Sequence, residues 1–260
     1  MLTGIVIGEE SEERPRPILV TGAASGIGRC AAEVLAARGH PVAVTDRDGD
    51  GAEKAAAAIR DAGGAAHAFL LDVTDAATIR AAVAEAAARL GGLGGLVNNA
   101  GWTLNVPLED HDDDLVDTLL AINLSGTIKV TREVVPVLRE WGDGRIVNVA
   151  SDSARTGMSN GAAYTAAKGG VLALTRSLAR ELARDEITVN AVSPGIVDTP
   201  LLADSMRQAP GMLDKLRRGI PMRRLGTPAD VASAIAYFCG PGAGYVTGQT
   251  LSVSGGMVIV

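Results

Sequence analysis

The chain has 260 residues, 47% of them apolar and 21% charged, with a net charge of −6 and a pI near 5.1. That acidity argues against a general affinity for nucleic acid, and two Phe, two Trp and three Tyr leave little aromatic surface for stacking on bases. No apolar run reaches the roughly 18 residues that would suggest a membrane span, so no membrane segment is expected.

The first residues, "MLTGIVIGEESEERPRP", lack a basic region ahead of their apolar stretch and run straight into acids, unlike a secretory signal. Residues 1–17 read as an N-terminal extension whose charged, Pro-containing part is expected to be mobile. Cys30 and Cys239 lie far apart with neither disulfide nor ligand spacing, and His40, His67 and His111 are equally scattered. No metal site is expected, and the cysteine usage fits a reducing cytoplasm.

From Pro17 onward, short apolar runs alternate with Ala/Leu/Arg segments of helical period. "ILVTG" (18–22) reads as a strand and 26–38 as a helix; "PVAVTD" (41–46) is a second strand, followed by a helix over about 51–62. "HAFLLD" (67–72), a helix at 76–90 and "GLVNNAG" (95–101) continue the pattern. The acid run "EDHDDD" (109–114) suits the first turn of a helix, where carboxylates face the positive end of the dipole, better than a metal site. "GRIVNVAS" (144–151), a long helix from about 161 to 184 and "ITVNAVSPG" (187–195) follow. Residues 201–226 contain Pro and Gly and show poor periodicity, as a substrate lid over about 199–226 would. A helix at 228–239 and a strand near 250–256 close the chain.

Strands that are apolar throughout are those covered by helices on both faces. The expected fold is therefore α/β, a single-domain doubly wound (Rossmann) parallel sheet spanning 18–260.

"TGAASGIG" (21–28) lies between the first strand and the first helix. Gly22, Gly26 and Gly28 would let backbone approach a ligand, and the N–H groups around Ser25 and Ile27 at the helix start would meet a pyrophosphate. The spacing is G-x-x-x-G-x-G rather than the better-known G-x-G-x-x-G. Asp46, ending the second strand, is placed to accept hydrogen bonds from ribose hydroxyls and to repel a 2′-phosphate. NAD is favoured on that ground. The neighbouring Arg47 could pair with such a phosphate, which keeps NADP open.

In "YTAAK", Tyr164 and Lys168 stand four residues apart on the long helix and so share a face. Such a pair is either an ordinary surface contact or a proton-transfer device.

Together the Gly loop, "NNAG" (98–101), "YTAAK", "SPGIVDTP" and "SVSGG" resemble the short-chain dehydrogenase/reductase family, from about Ile18 to Gly256. The resemblance implies that Tyr164 is the general acid/base, Lys168 its activator and Ser151, thirteen residues before the Tyr, the partner of the substrate oxygen. Ser153 and Ser159 carry the same hydroxyl, but spacing to Tyr164 selects Ser151. Many relatives have paired serines where this chain has Ala150–Ser151. Asn123, in "AINLSG", matches the helix-bending asparagine that holds a proton-relay water. Asp72 and Val73 match the adenine contacts. Asn98, Ala100 and Gly101 match the adenosine side; Pro194, Gly195, Ile196 and Thr199 match the nicotinamide side. A homotetramer, or homodimer, follows from the same resemblance, and the apolar "GGMVIV" suits an interface.

A free phenol has a pKa near 10, so a neutral-pH base needs it lowered by about three units, or roughly 4 kcal/mol. A Lys ammonium and a positive nicotinamide ring together could supply this. For the substrate, residues 201–224 carry Arg207, Lys215, Arg217, Arg218, Arg223 and Arg224 against Asp204 and Asp214. A basic lid would suit a phosphorylated carrier. The layout resembles β-ketoacyl-(acyl carrier protein) reductases, and "NNAGW", with Trp102, and 148–170 resemble 2-hydroxycyclohexanecarboxyl-CoA dehydrogenases. An acyl thioester is the expected substrate, a free cyclic or sugar-like alcohol the alternative. A non-catalytic NAD-binding protein is disfavoured because the whole Ser, Tyr and Lys set is present.

Overall fold

The structure, a computed structural model, describes residues 15–206 and 212–259. Seven parallel strands form one sheet in the order β3-β2-β1-β4-β5-β6-β7. They are β1 (Ile18–Thr21), β2 (Val42–Asp46), β3 (Ala66–Leu70), β4 (Gly95–Asn98), β5 (Arg145–Val149), β6 (Thr188–Pro194) and β7 (Thr250–Val253). The order steps outward from β1 in both directions, so the sheet reverses between β1 and β4. In such sheets ligands bind outside the carboxyl ends of the strands at that point.

Successive side chains of a strand face opposite ways, and this sorts the core into two layers. Ile18 and Val20 of β1 pack with α1 (Gly26–Ala37), α2 (Gly49–Asp61) and, far along the chain, α10 (Pro228–Cys239). Leu19, between them, faces the other layer with α3 (Ala76–Leu90), α5 (Gly126–Trp141) and the end of α7 (Ala162–Glu181). Every residue of β1, β4, β5 and β6 is buried, which is why apolar residues occupy both faces of these strands, with buried polar residues such as Asn98, Asn148 and Asn190 among them.

The acid run straddles two elements. Glu109 and Asp110 lie in a single 3₁₀ turn, while Asp112 caps α4 (Asp113–Leu120) by accepting the Leu115 N–H at 2.8 Å. Between α4 and α5 the helix widens into one π turn, Ala121–Ser125, centred on Asn123. A short α6 (Ser153–Thr156) precedes α7.

Two expectations need correction. The described residues of 201–219 are helical rather than irregular: they belong to α8 (Pro200–Met206) and α9 (Met212–Gly219). Each is too short for a period of 3.6 to register against the Pro and Gly between them. The folded body also begins before residue 18, so the extension does not run to 17. Arg16 is 2% exposed, and its guanidinium donates to Cys239 O at 2.6 Å and to Asp143 Oδ2 at 2.8 Å. Pro17 O accepts from Gly94 and Gly95 N–H. Residues 1–14, expected to be mobile, lie outside the described residues.

Candidate active site

The carboxyl ends of β1, β4, β5 and β6 open on a cavity of about 1540 Å³. At one end lies the Gly turn. Gly22 has φ +64°, and a Cβ there would come within 2.8 Å of Ala100 Cα, so no other residue fits. A Cβ on Gly28 would sit 2.2 Å from Gly22 O. Gly28 does not line the cavity: it lets the helix start close beneath the turn. Gly22, Ser25, Gly26 and Ile27 do line it. Ser25 caps α1 without a side-chain hydrogen bond, which leaves first-turn N–H groups for a phosphate.

Asp46 is held by two backbone donors, Ala24 N–H on Oδ2 and Asp48 N–H on Oδ1, each at 3.0 Å. Its carboxylate is thereby fixed at the lip of the Gly turn. Arg47, Asp72 and Val73 line the cavity beside it. Burial opposes ionisation of Asp72, but hydrogen bonds from the Thr74 hydroxyl and N–H and the charge of Arg47 hold its pKa below the ordinary value.

"NNAG" divides differently from the expectation. Asn98 does not reach the cavity. As the last residue of β4 it points into the layer beneath, donating to Thr131 Oγ1 and Asn148 Oδ1 at 2.9 Å each. Asn99 takes the lining position and donates to Thr21 O at 2.9 Å and Gly22 O at 3.0 Å, clamping the Gly turn. Thr21 Oγ1 in return accepts the N–H groups of Asn99 and Ala100. Strand alternation carried the signal: neighbouring residues at a strand end cannot both face the cavity. Ala100 and Gly101 line it as expected, as do Pro194, Gly195, Ile196 and Thr199.

Ser151, Tyr164 and Lys168 converge at the centre. Tyr164 is half-buried; burial raises its pKa, and the Ser151 hydroxyl beside it works the other way. Lys168 is 4% exposed, with Nζ 2.8 Å from Val149 O and 5.8 Å from the centroid of the Tyr164 ring. Burial lowers its pKa to about 8. Asn123 stands behind this group rather than in the cavity wall. Its amide donates to Trp102 O at 2.7 Å and Leu119 O at 2.9 Å, and its Oδ1 accepts Trp102 N–H at 3.2 Å. It thus ties the π turn to the loop after β4. On the substrate side the cavity is also lined by Asn105 and Asp117, which no motif surrounds, and by Met158 and Met257, which lie in stretches singled out for other reasons.

The lid helices face the cavity through Leu201, Leu202, Lys215 and Leu216. Two of the six expected cations are paired with acids: Arg224 with Asp230, and Arg217 with Asp214 at 3.7 Å. Arg207 lies outside the described residues. Among the described residues no cluster could hold a metal ion, and no helix is long and apolar enough to cross a membrane.

A switch-point cavity with an open helix N-terminus and an acidic residue after β2, leading to a Ser–Tyr–Lys group, defines a nicotinamide-nucleotide oxidoreductase site. The family described as enoyl-(acyl carrier protein) reductase matches residues 22–258. A 2-dehydro-3-deoxy-L-rhamnonate dehydrogenase (NAD(+)) of a Sphingomonas species is 38% identical, with 93% of this chain and 94% of the relative covered. A variant of actinorhodin polyketide ketoreductase with NADPH superposes at TM-score 0.90 and 38% identity, covering 94% of this chain and 97% of that one. A 3-ketoacyl-(acyl-carrier-protein) reductase from Brucella melitensis complexed with NADH gives 0.87 and 38%, covering 94% and 98%. The chain belongs to the short-chain dehydrogenase/reductase family and is an oxidoreductase of the secondary alcohol/ketone class.

Proposed function

We propose that the protein interconverts a ketone and a secondary alcohol on an acyl thioester, of 3-oxoacyl or 2-hydroxycycloalkane-carboxyl type, with NAD preferred. The observation that carries the reading is the convergence of Ser151, Tyr164 and Lys168, whose Nζ lies 5.8 Å from the Tyr164 ring centroid, in a cavity whose far end holds Asp46. Ser151 orients the substrate oxygen, and Tyr164 gives or takes its proton. Lys168 places a positive charge near the phenol, offsetting the burial that disfavours the phenolate. Nicotinamide, when bound, exchanges a hydride with the carbinol carbon. Asn123 fixes the loop carrying Gly101 and Trp102, and α8 and α9 act as the lid.

Asp46 supports NAD, its carboxylate held by the Ala24 N–H at the lip of the Gly turn, where it would repel a 2′-phosphate. The thioester reading draws on Lys215 in the cavity wall and on the carrier-protein reductase among the similar structures. The pairing of Arg217 and Arg224 with acids favours the alternative, a free sugar-like alcohol, as does the rhamnonate dehydrogenase. A cytoplasmic homotetramer or homodimer completes the proposal.

Absorbance at 340 nm tests it. Acetoacetyl-CoA should oxidise NADH and respond weakly to NADPH. Turnover of NAD with cyclic or polyol alcohols, and none with the thioester, would select the alternative.

A further inference from the structure

Ser151 has a neighbour that this scheme leaves unused. Ser153 opens α6 and lines the same cavity; its Oγ lies 2.9 Å from Ser151 Oγ, and its N–H donates to that oxygen at 3.2 Å. The Ser153 hydroxyl has no other hydrogen-bond partner among the described residues. A serine hydroxyl has one proton and two lone pairs. One lone pair of Ser151 accepts the Ser153 N–H, and the hydroxyl also meets Tyr164.

While Tyr164 keeps its proton, the row of three hydroxyls can run in either sense. A phenolate has no proton to give, so Ser151 must then donate to it. The second lone pair of Ser151 is left for a donor, and the Ser153 hydroxyl is the group in place. We propose that Ser153 is a positioning residue whose hydroxyl donates to Ser151 Oγ, fixing the single Ser151 proton toward the Tyr164 oxygen.

Hydrogen bonds in a chain polarise one another, and a charged acceptor gains most. Ser153 therefore stabilises the phenolate more than the phenol, and no bond to it forms or breaks in the reaction. Lys168 stands on the same helix as Tyr164; Asp152, just ahead of α6, Asp117 on α4 and Lys215 on α9 line the same cavity, and Arg155 lies on α6. Asp152 is tied to Ser252 Oγ at 2.7 Å, and Arg155 to Ser252 Oγ and Thr250 O, so neither is exchanged for Ser153 in the row. The π turn and β6 present no charged residue.

The inference rests on Tyr164 being the base, and its test separates the two. The pH dependence of kcat/KM is measured for oxidation of 3-hydroxybutyryl-CoA with NAD, or of cyclohexanol if only free alcohols turn over. In Ser153→Ala the half-rise should move up by roughly half a pH unit or more, and Ser153→Thr should return it. NADH binding, read by fluorescence, checks the fold; if the Ala variant does not fold, Ser153→Cys, a weak donor of similar size, gives the same comparison. An unmoved midpoint overturns the inference even if the rate falls, as does failure of Thr to restore it. If Tyr164→Phe abolishes turnover while the Ser153→Ala midpoint stays put, only Ser153 is wrong. If Tyr164→Phe turns over normally, the base assignment and this inference fall together.

Discussion

Lys168 is where chemistry and stability pull apart. Its burial lowers the pKa from 10.5 to about 8, so below pH 8 the fold holds a cation it would hold more cheaply neutral. The shift corresponds to about 3 kcal/mol of cost when the group is charged in both states. The unfolded chain keeps its proton up to 10.5 while the folded chain begins losing it near 8. In that window the unfolded state binds more protons, and this group's contribution to stability rises with pH. Lys168→Met should therefore be more stable than wild type at pH 7, by up to that amount less the lost bond to Val149 O. The margin should shrink from pH 8 toward 10. Chemical denaturation at pH 7 and 9.5 measures it; a margin independent of pH would mean the ammonium is not desolvated. Asp46 tests differently. Asp46→Asn keeps an acceptor for Ala24 N–H while removing the charge, so the NADPH-to-NADH ratio of kcat/KM should rise roughly tenfold. An unchanged ratio would move the selectivity to Arg47.

Among the elements, the short buried strands were readable because they carry apolar residues on both faces, and the long helices because their period repeats three times or more. Where the reading slipped, the local pattern was broken for a physical reason. The π turn at Asn123 adds a residue to the helical period, and α8 and α9 are each under three turns. Asn98 and Asn99 look interchangeable in sequence, and only the pleat separates them. Asn98, Asn148, Thr131 and Thr175 form a buried polar row that joins β4 and β5 to α5 and α7. Asn98→Ala leaves partners in that row unsatisfied and should cost roughly 2–3 kcal/mol, with the affinity for NADH unchanged. Asn99→Ala releases the Gly turn and should weaken NADH binding with a smaller loss of stability. Thermal melts and fluorescence titration on both variants decide this, and the opposite pattern would return Asn98 to the cofactor site. The Ser–Tyr–Lys group was legible because the family spacing selects it. Ser153 was dismissed by that same spacing, since its contribution lies in a hydrogen bond and not in an interval.

At the scale of the whole molecule, a parallel sheet with helices on both faces still has two open edges, and an edge strand offers unpaired backbone groups to a neighbour. β7 is one of these edges, and it is less covered than the interior strands: Leu251 is 43% exposed, and Met222, whose N–H donates to Gly255 O just past the strand, is 63% exposed. Ile259 at 88% and Met257 at 38% extend the apolar surface along the C-terminal segment. Apolar side chains exposed along one edge are better buried than wet, and a second copy meeting them about a twofold axis would set the same patch of each copy against the other. Sedimentation velocity at micromolar concentration should show a dimer or tetramer, and Leu251→Lys combined with Met222→Lys should shift it to a smaller species, because the lysines put like charges into the apolar patch that both copies would bury. The Gly turn, Asp46, Ser151, Tyr164 and Lys168 all belong to one chain, so the dissociated variant should still bind NADH. A wild-type monomer, or an assembly indifferent to both lysines, would mean that the β7 face is covered by something else or by nothing.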